Sequence, residues 1–95
     1  MYVLVIRVEL HLPTCQSLKA KRSLVTPVVR HLDRMTGVGV AEVDHQDLWQ
    51  RATLGVTVVG SAPAVVEHTA DEIDRYLWST HDIDIIESER SWWEE

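Results

Sequence analysis

Cysteine, phenylalanine, glycine and proline are scarce or absent in this sequence of 95 residues, which has one cysteine, no phenylalanine, four glycines and three prolines. The single thiol, Cys15, excludes an internal disulfide framework and a cysteine-based zinc ribbon. No glycine-rich loop follows a strand and opens a helix, so the usual phosphate cradle is missing. No apolar run approaches the ~20 residues a membrane span needs. The apolar start Met1–Ile6 is cut by Arg7 and Glu9, and no charged leader precedes it, so a secretory signal is not expected. The expected home is cytoplasmic, with no membrane contact.

What is present is the balance of a folded domain: 45% hydrophobic and 25% charged residues. A chain this short holds one small core, burying roughly 60–65% of its unfolded surface. The net charge of −6 is unevenly spread. Residues 1–66 carry seven basic against five acidic side chains, and residues 67–95 carry two against ten. Five of the nine cations lie between Lys19 and Arg34. The acidic total disfavours indiscriminate nucleic-acid binding, and DNA is not expected as a partner. A local basic patch is still allowed, because exposed charges are screened beyond about 8–10 Å.

Alternation at Leu4, Ile6, Val8, Leu10 and Leu12 predicts a strand over 2–12, stopped by Pro13. Lys21, Leu24, Val25, Val28, Leu32 and Met35 recur at helical spacing from a Ser17 cap. Pro27 is expected to bend that helix or restart it with Thr26 as a fresh cap. Strands follow at 38–45 and 52–60, joined by a long hairpin connection. Ser61-Ala62-Pro63 opens a second helix with a Val66, Ala70, Ile73, Leu77 stripe. Ile83, Ile85 and Ile86 mark a short fourth strand. The expected architecture is α+β: a ferredoxin-like βαββαβ split, with four antiparallel strands in the order 4-1-3-2 and two helices on one face. The domain is expected to span 1–88, with 89–95 an acidic tail holding Trp92 and Trp93.

This topology puts the end of the first strand, the start of the first helix and the hairpin at one edge. His11, Cys15, His45 and Asp47 are metal-ligand types, but no pair has a recognised ligand spacing, so no metal or other cofactor is expected. Cys15 beside His11 or His45 is the one thiol–imidazole pairing. Nothing supplies an oxyanion hole, and no catalytic residue is assigned; a non-enzymatic role is expected. Lys19, Lys21 and Arg22 crowd the first helical turn, where cations oppose the helix dipole and a phosphate would relieve them. Arg51 joins them from the hairpin, with Asp47 orienting it, and Arg30 and Arg34 extend the stripe. His45, Gln46 and Trp49 offer shape or base contact; Trp49 is the aromatic placed to stack on a base. Val3, Val5, Thr57 and Val59 form an open sheet face too apolar for free exposure, suited to a homodimer or another partner.

The segments Cys15-Gln16-Ser17-Leu18-Lys19-Ala20-Lys21-Arg22-Ser23 and Val40-Ala41-Glu42-Val43-Asp44-His45-Gln46-Asp47-Leu48-Trp49-Gln50-Arg51-Ala52-Thr53-Leu54-Gly55 resemble the small bacterial YlxP-like family of unknown function. The likeness covers the chain to about Ile86. It implies a ferredoxin-like fold. Family genes often lie among translation genes, beside an initiation factor and a ribosome-binding assembly factor, which implies by association ribosomal RNA or a ribosomal particle as partner. It brings no catalytic or ligand residues with it, and the Trp92-Trp93 tail is outside the shared pattern.

Overall fold

A computed structural model describes residues 1–93. The elements run β1 (Tyr2–His11), α1 (Leu18–Asp33), β2 (Val38–Asp44), β3 (Arg51–Gly60), α2 (Pro63–Trp78) and β4 (Asp84–Trp93). The strands make one sheet ordered β2-β3-β1-β4, with every neighbouring pair antiparallel. Read from the other edge, this is the 4-1-3-2 order expected from the sequence, a ferredoxin-like α+β fold.

Strand alternation builds the core directly. Leu4, Ile6, Val8 and Leu10 of β1 and Ala52, Leu54, Val56 and Val58 of β3 are buried on the helix side of the sheet. Val25, Val28 and Leu32 of α1 and Val66, Ala70, Ile73 and Leu77 of α2 meet them. Each of the valine, leucine and isoleucine side chains contributes about 1.5–3 kcal/mol of transfer free energy. Ring stacking of His31 on Tyr76, with centroids 3.7 Å apart, joins the two helices.

The helix ends follow local chemistry. Ser17 Oγ accepts a hydrogen bond from the Ala20 N–H at 3.0 Å, capping α1. Pro27 neither ends nor restarts the helix, contrary to the expectation for Thr26 as a new cap: α1 runs unbroken through it. The buried Val25 and Val28 on either side anchor both turns to the sheet, which offsets the lost backbone bond. Gly37 takes φ +78° at the turn into β2, a conformation only glycine adopts at little cost.

The fourth strand departs from expectation. β4 is ten residues long, so 89–93 belong to the sheet rather than to a tail; Glu94 and Glu95 lie outside the described residues. Ser88, Arg90 and Trp92 stand opposite Val8, Ile6 and Leu4 on the helix side. Arg90 pairs there with Asp71 at 3.1 Å and with Asp74 of α2, and Trp92 meets Tyr2 edge-on. Ile85 packs on the core at the start of the strand, and over its outer half the Arg90 ion pairs and the Trp92–Tyr2 contact take the place of an apolar stripe.

The end of β2 is irregular. Glu42 pairs with Leu54, but Asp44 pairs with Thr53, so one residue is bulged out. The bulge keeps Glu42 on the helix side and turns Asp44 to the open face.

Candidate functional site at the hairpin edge

The β1–α1 connection and the β2–β3 hairpin are bonded together. The Leu12 N–H donates to Gln50 O at 2.9 Å. Gln50 Nε2 donates to Pro13 O and Cys15 O at 3.3 and 3.2 Å. Lys21 Nζ donates to His45 O at 2.7 Å and to Gln46 O at 3.4 Å, and lies 2.7 Å from Glu42 Oε2. The two segments that carried the family resemblance therefore meet in space.

This arrangement corrects four of the expected site residues. Lys21 is 2% exposed, and its ammonium is consumed by Glu42 and two hairpin carbonyls, so it is a structural lock and not a phosphate contact. Arg51 turns to Glu9, with Nη2 3.7 Å from Oε2, rather than to Asp47. The register explains the choice: Arg51 stands opposite His11, which makes Glu9 its diagonal neighbour on the same face. Arg30 and Arg34 sit roughly 16–22 Å farther along the axis of α1. Arg34 instead lines a shallow depression of about 340 Å³ with Met35, Thr36, Thr69 and Glu72 at the opposite edge. At the hairpin edge, Lys19, Arg22, Gln46, Asp47 and Trp49 are exposed, Trp49 at 51%.

Sequence reasoning missed a polar cluster on the open face of the sheet beside the hairpin. Thr53 is fully buried there, and its hydroxyl donates to Glu9 Oε2 at 2.7 Å. His45 Nδ1 lies 2.8 Å from the same hydroxyl. Arg7 Nε donates to Glu9 Oε1 at 3.1 Å. The Thr53 bond, aided by Arg7, holds the Glu9 carboxyl below its ordinary range despite an opposing effect of burial. His45 occupies the left-handed region at φ +63°, and its N–H bonds Asp44 Oδ1 at 2.8 Å. The alternation already put Glu9 and Thr53 on one face; the signal that would have joined them was the β1–β3 register.

The other ligand types do not converge. His11 pairs with Asp84 at 3.7 Å, and Cys15 is buried in the core, where desolvation pushes its thiol pKa up. That removes it as a nucleophile at neutral pH. Among the described residues, no group of three or more His, Cys, Asp or Glu side chains gathers at metal-binding distances. Among the same residues, no helix is long and apolar enough to cross a membrane.

The sheet face itself is graded from end to end. Val59, Val3 and Trp93 form a row across three strands, and Thr57, Val5 and Ser91 form the next. Then come Gly55, Arg7 and Glu89, and finally Thr53, Glu9 and Glu87. Glu87 and Glu89 face each other along β4, and their shared hydrogen bond raises the Glu87 pKa.

Residues 3–90 match the family described as "Protein of unknown function (DUF503)". The chain belongs to the DUF503 family. It is also similar to the uncharacterized protein YlxP of Bacillus subtilis (strain 168), with 25% identity over 76 residues, 80% of this chain and 83% of that one. The DUF503 match contains both hairpin-edge segments and the Glu9, His45 and Thr53 cluster, and it ends at Arg90, before Trp92 and Trp93.

Proposed function

We propose that this DUF503 protein is a non-enzymatic RNA-binding protein, associated with a ribosomal particle, and that the hairpin edge is its contact surface. The observation that carries this reading is Trp49: it stands 51% exposed on a connection bonded to two neighbouring segments. An exposed indole on a braced loop is a stacking platform, and stacking contributes ~1–3 kcal/mol per base. Lys19 and Arg22 supply the phosphate contacts, and Gln46 supplies polar contact. Stacking requires an unstacked base, so the target is a single-stranded or looped segment rather than a duplex. The sheet face is not the platform, since Glu9, Glu87 and Glu89 would repel a phosphate chain there.

The test is sedimentation of the tagged protein through a sucrose gradient of its own cell lysate at low and moderate salt. Co-migration with a ribosomal particle, weakened by raised salt and by Trp49→Ala, is the expected result. Migration at the top in both salts, for wild type and variant alike, would refute the reading.

The apolar end of the sheet favours a second, compatible reading as a homodimer. Val5, Val59 and Trp93 are exposed there around Val3 and Thr57, with Gly39 beside Thr57. A second copy packed face to face would cover this end and leave the hairpin edge free. Light scattering should give twice the chain mass, reverting to one chain mass in Val5→Glu/Val59→Glu.

A further inference from the structure

The Glu9–Thr53–His45 chain fixes the hydrogen-bonding character of the one imidazole on the hairpin. Glu9 accepts from Arg7 Nε at one carboxylate oxygen and from Thr53 at the other, and an ionised carboxylate, the ordinary state of glutamate at neutral pH, only accepts. The Thr53 hydroxyl therefore donates its single proton to Glu9 Oε2. Only lone pairs remain on that oxygen, so His45 Nδ1, 2.8 Å away, must be the donor to it. A neutral imidazole with its proton on Nδ1 presents Nε2 as a bare acceptor. No hydrogen bond reaches Nε2 among the described residues, and the His45 side chain is 29% exposed.

The backbone supports the same assignment. His45 is a non-glycine residue at φ +63°, a left-handed conformation that an L side chain adopts only when its surroundings hold it there. It is held there by Asp44 on its N–H, by Lys21 and the Leu48 N–H on its carbonyl, and by Thr53 on its ring. Four partners thus aim one acceptor nitrogen, at the head of the same connection that carries Trp49.

We infer that His45 Nε2 accepts a hydrogen bond from the ribose 2′-hydroxyl of a nucleotide bound at the hairpin edge, and so distinguishes RNA from DNA. The 2′-hydroxyl is the donor that RNA has and DNA lacks. A bare acceptor held away from other protein donors suits it, whereas an Nε2–H tautomer would offer a donor instead. This inference rests on the RNA reading above and names what that site recognises.

The test uses the full chain and two labelled probes, a ten-nucleotide uridine oligomer and its deoxyuridine counterpart, with a 2′-fluoro oligomer as control for sugar geometry. Wild type should bind the ribo-oligomer roughly three- to tenfold more tightly than either analogue, the worth of one neutral hydrogen bond. His45→Phe keeps a planar ring but no acceptor; it should abolish the preference, so that the ribo-oligomer and the deoxy-oligomer bind with equal affinity. Nitrogen-15 NMR of the wild-type imidazole reads the tautomer without any variant: Nδ1–H is expected, and Nε2–H overturns the inference. Equal affinity of wild type for all three oligomers also overturns it while leaving the RNA reading in place. Binding to none of them, with ribosomal co-sedimentation absent as well, overturns both.

Discussion

At the scale of single residues, Lys21 and Glu9 decide how this edge is held. Lys21 is nearly inaccessible, and its ammonium spans Glu42 and the hairpin carbonyls. Removing one member of a buried pair leaves the other uncompensated, at a cost of about 3 kcal/mol or more. Lys21→Met should accordingly lower the midpoint of thermal unfolding by roughly 10–20 °C. Adding Glu42→Leu should restore most of the loss, since replacing both partners by apolar groups is close to neutral. A single variant as stable as wild type would show that the lock is not structural. Glu9 gives a pH signature of defined sign. Its folded pKa is depressed, chiefly by the Thr53 hydroxyl, so its contribution is present above the unfolded value of about 4.3 and is lost as pH falls through the folded value. Urea midpoints measured from neutral pH into the acid range should fall along that window. In Thr53→Val the neutral-pH stability should drop by about 1–2 kcal/mol, and the acid limb should become shallower. An unchanged limb would mean that Thr53 does not set the Glu9 titration.

At the scale of elements, β4 shows a strand held by polar contacts on its helix side. Arg90 reaches Asp71 and Asp74 from a position opposite Ile6, fastening the outer half of β4 over α2. In Arg90→Ala, amide hydrogen exchange over 89–93 should quicken roughly three- to fivefold, with the centre of β1 and β3 unaffected. Uniform exchange changes across the sheet would assign Arg90 to global stability instead. The same strand explains where the sequence was legible and where it was not. β1 and β3 bury one face against helices, so Leu4 to Leu10 and Ala52 to Val58 alternate in plain view. Ser88, Arg90 and Trp92 carry the same period with side chains that hydropathy does not score as a buried face. The hairpin edge was foreseeable from strand directions alone, and its two segments do meet. The identity of the free cations was not, because the fate of Lys21 and Arg51 depends on the bulge after Glu42 and on the diagonal pairing of Glu9. Neither the bulge nor the register leaves a mark in composition or periodicity.

Across the whole molecule, charge is partitioned between the hairpin edge and the acidic surfaces. Glu67, Asp71, Glu72 and Asp74 lie on α2, and Glu87 and Glu89 lie on β4. Lys21 is neutralised in place, Arg7 and Arg51 are drawn to Glu9, and Arg30 and Arg34 lie at the far end of α1. Lys19 and Arg22 are left at the edge as exposed cations. A protein with this layout should bind RNA through few phosphates, with stacking and hydrogen bonding contributing the rest. The consequence is a weak salt dependence of a particular size. Counterion release from single strands gives a slope of about −0.7 per phosphate neutralised, so two contacts give a log–log slope of about −1.4. Titrating a labelled single-stranded RNA at several salt concentrations reads that slope directly. Lys19→Ala/Arg22→Ala should bring it close to zero while leaving residual affinity from Trp49. Arg30→Ala/Arg34→Ala should leave both slope and affinity as in wild type. A slope of about −3 or steeper would mean that the two arginines on Glu9 are released to phosphate on binding, and that the sheet-face cluster opens when RNA docks.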